Sequence, residues 1–148
     1  MILIILFPFL LVLTVTVHYG FLTRLMVILD TGWAQAIKLI AIICGLFVAH
    51  VAEVVVYTFV YHFSHLIPGI GKLPGINFDD WINALYFSFA AYSSLGAGDL
   101  STAGWLKILY GLEAINGLVL ITWSASFSLL AMNRMKFCQS CSESSSTG

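Results

Sequence analysis

Ser94, Leu95, Gly96, Ala97, Gly98 and Asp99 form a run of mostly small residues, SLGAGD, between two strongly apolar stretches. Gly96 and Gly98 flank Ala97, so the backbone there can take conformations denied to residues with a Cβ. That freedom lets successive carbonyls point the same way. A row of carbonyls replacing a hydration shell is one way a protein filters cations. One chain supplies only one wall of such a filter. Closing a pore requires copies around an axis, and cyclic symmetry is the natural solution.

A second set of polar residues lies on the apolar stretch before this run. His50, Glu53 and Tyr57 recur at i, i+3 and i+7, which makes one polar stripe on a helix. An acid at the centre of a membrane helix costs about 2.5–3.5 kcal/mol on insertion scales. Glu53 is therefore expected to face protein, and either to pair with His50 or to stay protonated. The stripe reads either as a buried network that braces the loop or senses pH, or as structural hydrogen bonding between helices. Glu113 and Asn116 share a face of the last apolar run. They either pack behind the loop or, with the helix turned the other way, face an open space. Gly111 and Gly117 are candidate hinges, although Gly is also common where membrane helices pack closely.

Other chemistry finds little support. His62 and His65 have i, i+3 spacing but no third ligand, so they read as interfacial anchors. Cys138 and Cys141 form a C-x-x-C without a second pair, which does not make a zinc site. With Cys44 they are too few for a disulfide framework. No metal site is expected. The polar residues are scattered, with no convergent nucleophile, base or metal set, so no enzyme is expected. The net charge of −1 and the lack of a basic cluster point away from nucleic acid.

The elements that must position these residues are those of a membrane protein. Only 9% of the 148 residues are charged, against about 25% in soluble domains. The mean hydropathy is +0.99. The N-terminus is apolar from its first residue, with neither a basic n-region nor a small-residue cleavage site, and reads as a retained span or anchor. His18 to Asp30 is less apolar. It reads as a surface helix or as a continuation of the first span, with Asp30 or Thr31 as the next N-cap. A second span runs from Trp33 to about His62. The segment 65–80 is turn-rich, with three Gly and two Pro. Asn77 is expected to cap a short helix with Asp79 and Asp80 in its first turn. That helix, about Asp80 to Tyr92, rises only about 20 Å and cannot cross a core of about 30 Å. A last span covers about Ala103 to Met132, and the Ser-rich tail is expected to be disordered.

A short helix ending in mid-membrane must be followed by non-helical backbone. Such backbone survives only when buried in protein or lining a wet cavity. The fold class expected is an all-α membrane protein: an N-terminal hydrophobic helix, an outer helix, a re-entrant helix and loop, and an inner helix. The divisions are an N-terminal span and surface segment (1–32), a pore-like domain (33–133) and a tail (134–148). Arg24, Lys38, Arg134 and Lys136 fall on one side in this arrangement and Lys72 and Lys107 on the other, which puts the tail in the cytoplasm.

The order outer helix, loop, short helix, Gly-x-Gly-Asp loop, inner helix resembles the pore module of the potassium-channel superfamily. ALYFSFAAYSSLGAGDLSTAGWLKIL is similar to that family's pore-helix and filter segment, where Thr-Val-Gly-Tyr-Gly-Asp is usual. Ser94 and Leu95 take the Thr and Val places, and Gly96, Gly98 and Asp99 match the two glycines and the acid. Ala97 stands where the family has a Tyr whose ring packs outward and props the filter open. The resemblance implies a homotetramer in the cell membrane that passes monovalent cations, potassium above all, with no other cofactor. Loss of the Tyr ring implies a looser filter, and also leaves open a non-conducting, channel-like scaffold or subunit.

Overall fold

The computed structural model describes residues 2–66, 80–96 and 104–146, and the side chains of 5–64, 66, 80–96 and 104–135. They form four α-helices: α1 (Ile2–Leu29), α2 (Gln35–His62), α3 (Trp81–Tyr92) and α4 (Trp105–Ser146). A 3-10 turn, Phe63–Leu66, closes α2. No strand occurs among the described residues. Three of these helices contain stretches long and apolar enough to cross a membrane: Ile5–Leu29, Gln35–His62 and Trp105–Met135.

Each long helix buries one stripe. In α1 the stripe is Leu10, Thr14, His18, Leu22, Leu25 and Leu29; in α2 it includes Ile42, Leu46, Ala49, Glu53, Tyr57 and Tyr61. α4 continues the pattern with Leu106, Leu109, Glu113, Asn116, Leu120, Ser124 and Phe127. The spacing is that of a helix face turned toward neighbours. The residues left outside are themselves apolar, among them Phe9, Val12, Ile40, Phe47, Ile115, Val119 and Leu130. Polar groups within and hydrocarbon without is the distribution a lipid solvent selects.

α1 continues to Leu29 as a single helix and does not break into a separate surface segment. Its less apolar half keeps an inner face, Leu22, Leu25 and Leu29, which packs with Ile42, Leu46, Phe127, Ala131 and Met135. His18, where a break is easiest to imagine, is fully buried and hydrogen-bonded. α1 thus joins the same bundle as α2 and α4. At one contact a Cβ added to Gly45 would lie 2.4 Å from a Leu25 methyl, so glycine lets the two helices approach closely.

The junction after α1 differs from the expected cap. Ala34 is the N-cap of α2 and makes no side-chain capping bond. Asp30 and Thr31 serve the preceding helix and its neighbour instead. The Thr31 hydroxyl donates to the Ile28 carbonyl (2.7 Å), and Arg134 of α4 donates to Asp30 (2.8 Å). Lys38 reaches back to the Leu29 carbonyl at 2.9 Å, capping the end of α1.

α3 begins one residue later than expected. Asp80 is itself the N-cap, and its carboxylate accepts from the Ile82 backbone N–H at 3.0 Å. Asn77 and Asp79 lie outside the described residues. Loss of this cap in Asp80→Ala is expected to lower stability by about 1 kcal/mol. Hydrogen exchange should then rise in the first turn of α3 and nowhere in α1. Equal protection in the two proteins would disprove the cap's contribution.

α4 runs to Ser146, through residues whose composition reads as disordered. The helix is already nucleated by its packed portion, and adding residues to an existing helix is far easier than starting one.

Candidate functional site

α3 has 12 residues and rises about 18 Å, so it enters the bundle without crossing it. It packs between α2 and α4. Its buried residues are Ala84, Phe87, Ser88, Ala90, Ala91 and Tyr92. Phe87 meets the ring of Tyr61 edge-on at 4.9 Å and that of Tyr110 at 5.0 Å. The helix ends at Tyr92, and Ser93 is its C-cap. Ser94 takes φ +57 and Gly96 φ +83. Two positive φ values within three residues bend the chain sharply after the helix, and at Gly96 this carries no Cβ penalty.

Three polar layers hold α3 and the long helices together. Nearest the His62 end of α2, Glu113 of α4 accepts from the Tyr61 hydroxyl (2.6 Å) and the Ser88 hydroxyl (2.6 Å). Ser88 Oγ also lies 3.0 Å from the Val54 carbonyl. In the middle layer Asn116 Nδ2 donates to Thr14 Oγ1 of α1 (2.9 Å) and the Tyr57 hydroxyl oxygen of α2 (3.0 Å).

The third layer is level with the end of α3. Glu53 Oε1 lies 2.8 Å from His18 Nδ1, and Glu53 Oε2 lies 3.3 Å from His50 Nδ1. The Tyr92 hydroxyl donates to Glu53 Oε2 and stands 2.8 Å from His50 Nδ1. Ser124 Oγ of α4 touches both imidazoles on their other nitrogen, at 3.2 Å for His18 Nε2 and 3.0 Å for His50 Nε2. The contacts close a ring, Glu53–His18–Ser124–His50–Tyr92 and back to Glu53, which takes side chains from all four helices. Glu53 and His18 are fully buried.

Of the filter residues expected from sequence, Ser94, Leu95 and Gly96 are described. They are exposed in the single chain and follow directly on α3. Ala97, Gly98 and Asp99 lie outside the described residues. The His50–Glu53 pairing is present, although His18 is the nearer partner of Glu53. Tyr57 belongs to the next layer, with Asn116. Glu113 and Asn116 are buried behind α3 and do not line an open space in the single chain. Gly117 is a packing glycine: a Cβ there would lie 2.2 Å from the Tyr92 carbonyl oxygen. Gly111 has nothing within 4 Å of such a Cβ. His62 meets Phe63 and Trp81 edge-on, at 4.9 and 5.5 Å between ring centroids. The side chains of His65, Cys138 and Cys141 lie outside the described residues.

His18, Tyr92, Ser88 and Ser124 are the site residues that sequence reasoning missed. For His18 a signal existed, since an ionisable residue within a membrane span marks a functional position by default. The sequence left open whether His18 to Asp30 continues the first span, so His18 was not placed within it.

No curated protein and no solved structure matches the chain. A family model described as ion channel matches residues 49–132. The matched segment begins one residue before His50, takes in α3 and the loop after it, and ends within α4. It covers more than half of the chain, and the protein belongs to this ion channel family.

Proposed function

We propose that four copies of the chain surround an axis and form a pore for monovalent cations, with potassium as the principal ion. The backbone carbonyls of Ser94 to Gly98 would be its ligands, and Asp99 would anchor the loop's far end. The observation that carries this reading is α3. It is a helix too short to cross, docked on buried polar groups of two spans and leading into a Gly-rich turn. Its C-terminal end, the negative end of the helix dipole, favours a cation beside it. Leu95 is 85% exposed in the single chain. An apolar residue so placed calls for neighbouring chains around it.

Orientation follows the charges. Arg24, Lys38 and Arg134 gather at the end of the bundle where α1 passes to α2, and the positive-inside tendency places that end in the cytoplasm.

Native mass spectrometry of the detergent-solubilised protein tests the assembly, and a monomer would sink the pore. Planar-bilayer recordings with K⁺ and Na⁺ on opposite sides test the ion. A reversal potential displaced toward the potassium equilibrium value is expected, and a value near zero would exclude selectivity. Ala97 supports a second reading, in which the tetramer forms but does not conduct. A tetramer that passes no cation in liposomes would establish it.

A further inference from the structure

We propose that His18, His50 and Glu53 bind one divalent transition-metal ion per chain, zinc being the closest chemical fit. The ligand atoms of the three residues all lie within 4.8 Å of one another. His18 Nδ1 and His50 Nδ1 both face the Glu53 carboxylate, at 2.8 and 3.3 Å. Ligands around a tetrahedral zinc with bonds of about 2.0–2.1 Å stand about 3.3 Å apart. Small side-chain movements therefore close the set on an ion. The Tyr92 hydroxyl, 2.8 Å from His50 Nδ1, is a further oxygen donor beside the set.

The donor set selects the ion. Two imidazoles and a carboxylate suit zinc and its neighbours, whereas magnesium and calcium take oxygen ligands. The site is thus chemically distinct from a row of backbone carbonyls.

A second observation comes from the far side of the rings. A metal-bound imidazole passes its other N–H to an outer acceptor, which fixes the ring. Here Ser124 Oγ meets both Nε2 atoms, at 3.2 and 3.0 Å. A hydroxyl oxygen has two lone pairs, so one serine can accept from both rings while both Nδ1 atoms hold the metal. Metal on Nδ1 requires the Nε2–H tautomer of both rings, so a proton between His18 Nδ1 and Glu53 moves to Nε2 or leaves to solvent. The His50 side chain is 20% exposed in the single chain, while those of the other two ligands are fully buried.

The ligand from α1 lies outside the matched residues 49–132, so the site joins the added helix to the channel segment. It stands whether or not the loop conducts.

The test uses the full chain in detergent, stripped with a chelator and titrated with Co²⁺. One Co²⁺ per chain is expected, with the intense visible bands of a four-coordinate site, displaced by an equivalent of Zn²⁺. Affinity should fall at least about 100-fold in His18→Gln and about 10- to 100-fold in Ser124→Ala, an outer-shell change. It should be unchanged in His62→Asn and in the Cys138→Ser/Cys141→Ser double variant. Zn²⁺ should raise the Tm of the wild type and not of His18→Gln. A folded wild type that takes up no Co²⁺ overturns the proposal. So does binding that survives His18→Gln or disappears with His62 or the two cysteines.

Discussion

Gly117→Ala is expected to cost about 3 kcal/mol, near the upper end for overpacking a well-filled interior. The added methyl would lie 2.2 Å from the Tyr92 carbonyl oxygen and 3.0 Å from its carbonyl carbon. Those are backbone atoms at the end of α3, so no side-chain rotation relieves the contact. α4 must move away or α3 must retreat. Either shift pulls Tyr92 from Glu53 and displaces the turn at Ser94. If that turn forms the filter, cation flux falls with stability. Gly111→Ala, on the same helix, is the internal control. Nothing lies within 4 Å of its added methyl, and replacing glycine by alanine within a helix favours folding by up to about 1 kcal/mol. Thermal unfolding in detergent compares the two, and similar Tm values would contradict the packing account.

The second large effect is expected at Glu113. Its carboxylate ties the Tyr61 hydroxyl of α2 and the Ser88 hydroxyl of α3 to α4. Hydrogen bonds between membrane helices average about 0.6 kcal/mol and reach about 1.7. Losing two of them at a fully buried position places Glu113→Leu at about 1–3 kcal/mol. Ser88 keeps a nearby acceptor in the Val54 carbonyl at 3.0 Å, so much of the loss falls on the Tyr61 side. Glu113→Gln retains an acceptor oxygen and an amide that a hydroxyl can receive, and is expected to cost well under half as much. Hydrogen exchange reads the consequence directly. Residues 81–92 should lose protection in Glu113→Leu, while the far half of α1, Leu22 to Leu29, which packs against Ile42, Leu46 and Phe127, should not. A uniform loss across the bundle would show that Glu113 supports global stability and not the docking of α3.

What could be read from the sequence follows from what is local. α2, α3 and α4 were legible because each is a long or clearly bounded apolar run with caps or turn residues at its ends. The shortness of α3 is a matter of counting residues between Asp80 and the glycines. The His50–Glu53 pairing was legible because it lies three residues apart on one helix. The primary partner of Glu53 was not, because His18 reaches it across 35 residues through the packing of α1 on α2. Tyr92 and Ser124 escaped for the same reason. Hydroxyl residues abound in the chain, and only tertiary packing selects the two that meet imidazoles. The continuity of α1 was left open by its composition. A polar residue in a span looks like an end until its buried partner is known.

The pairing of His18 with Glu53 bears on how the chain enters the membrane. Glu53 alone opposes insertion of α2 by about 2.5–3.5 kcal/mol. α1 and α2 are consecutive, joined by a turn of only a few residues, and His18 stands opposite Glu53 when they fold back on each other. The two helices can therefore enter as a hairpin, with the acid already covered by an imidazole. Tyr92 and Ser124 arrive only with the later segments, so the ring closes last. α3 draws on Glu113 of α4 as well as Glu53 of α2, so its docking is complete only when the final span is in place. The segment that carries the loop is thus seated after its frame is built.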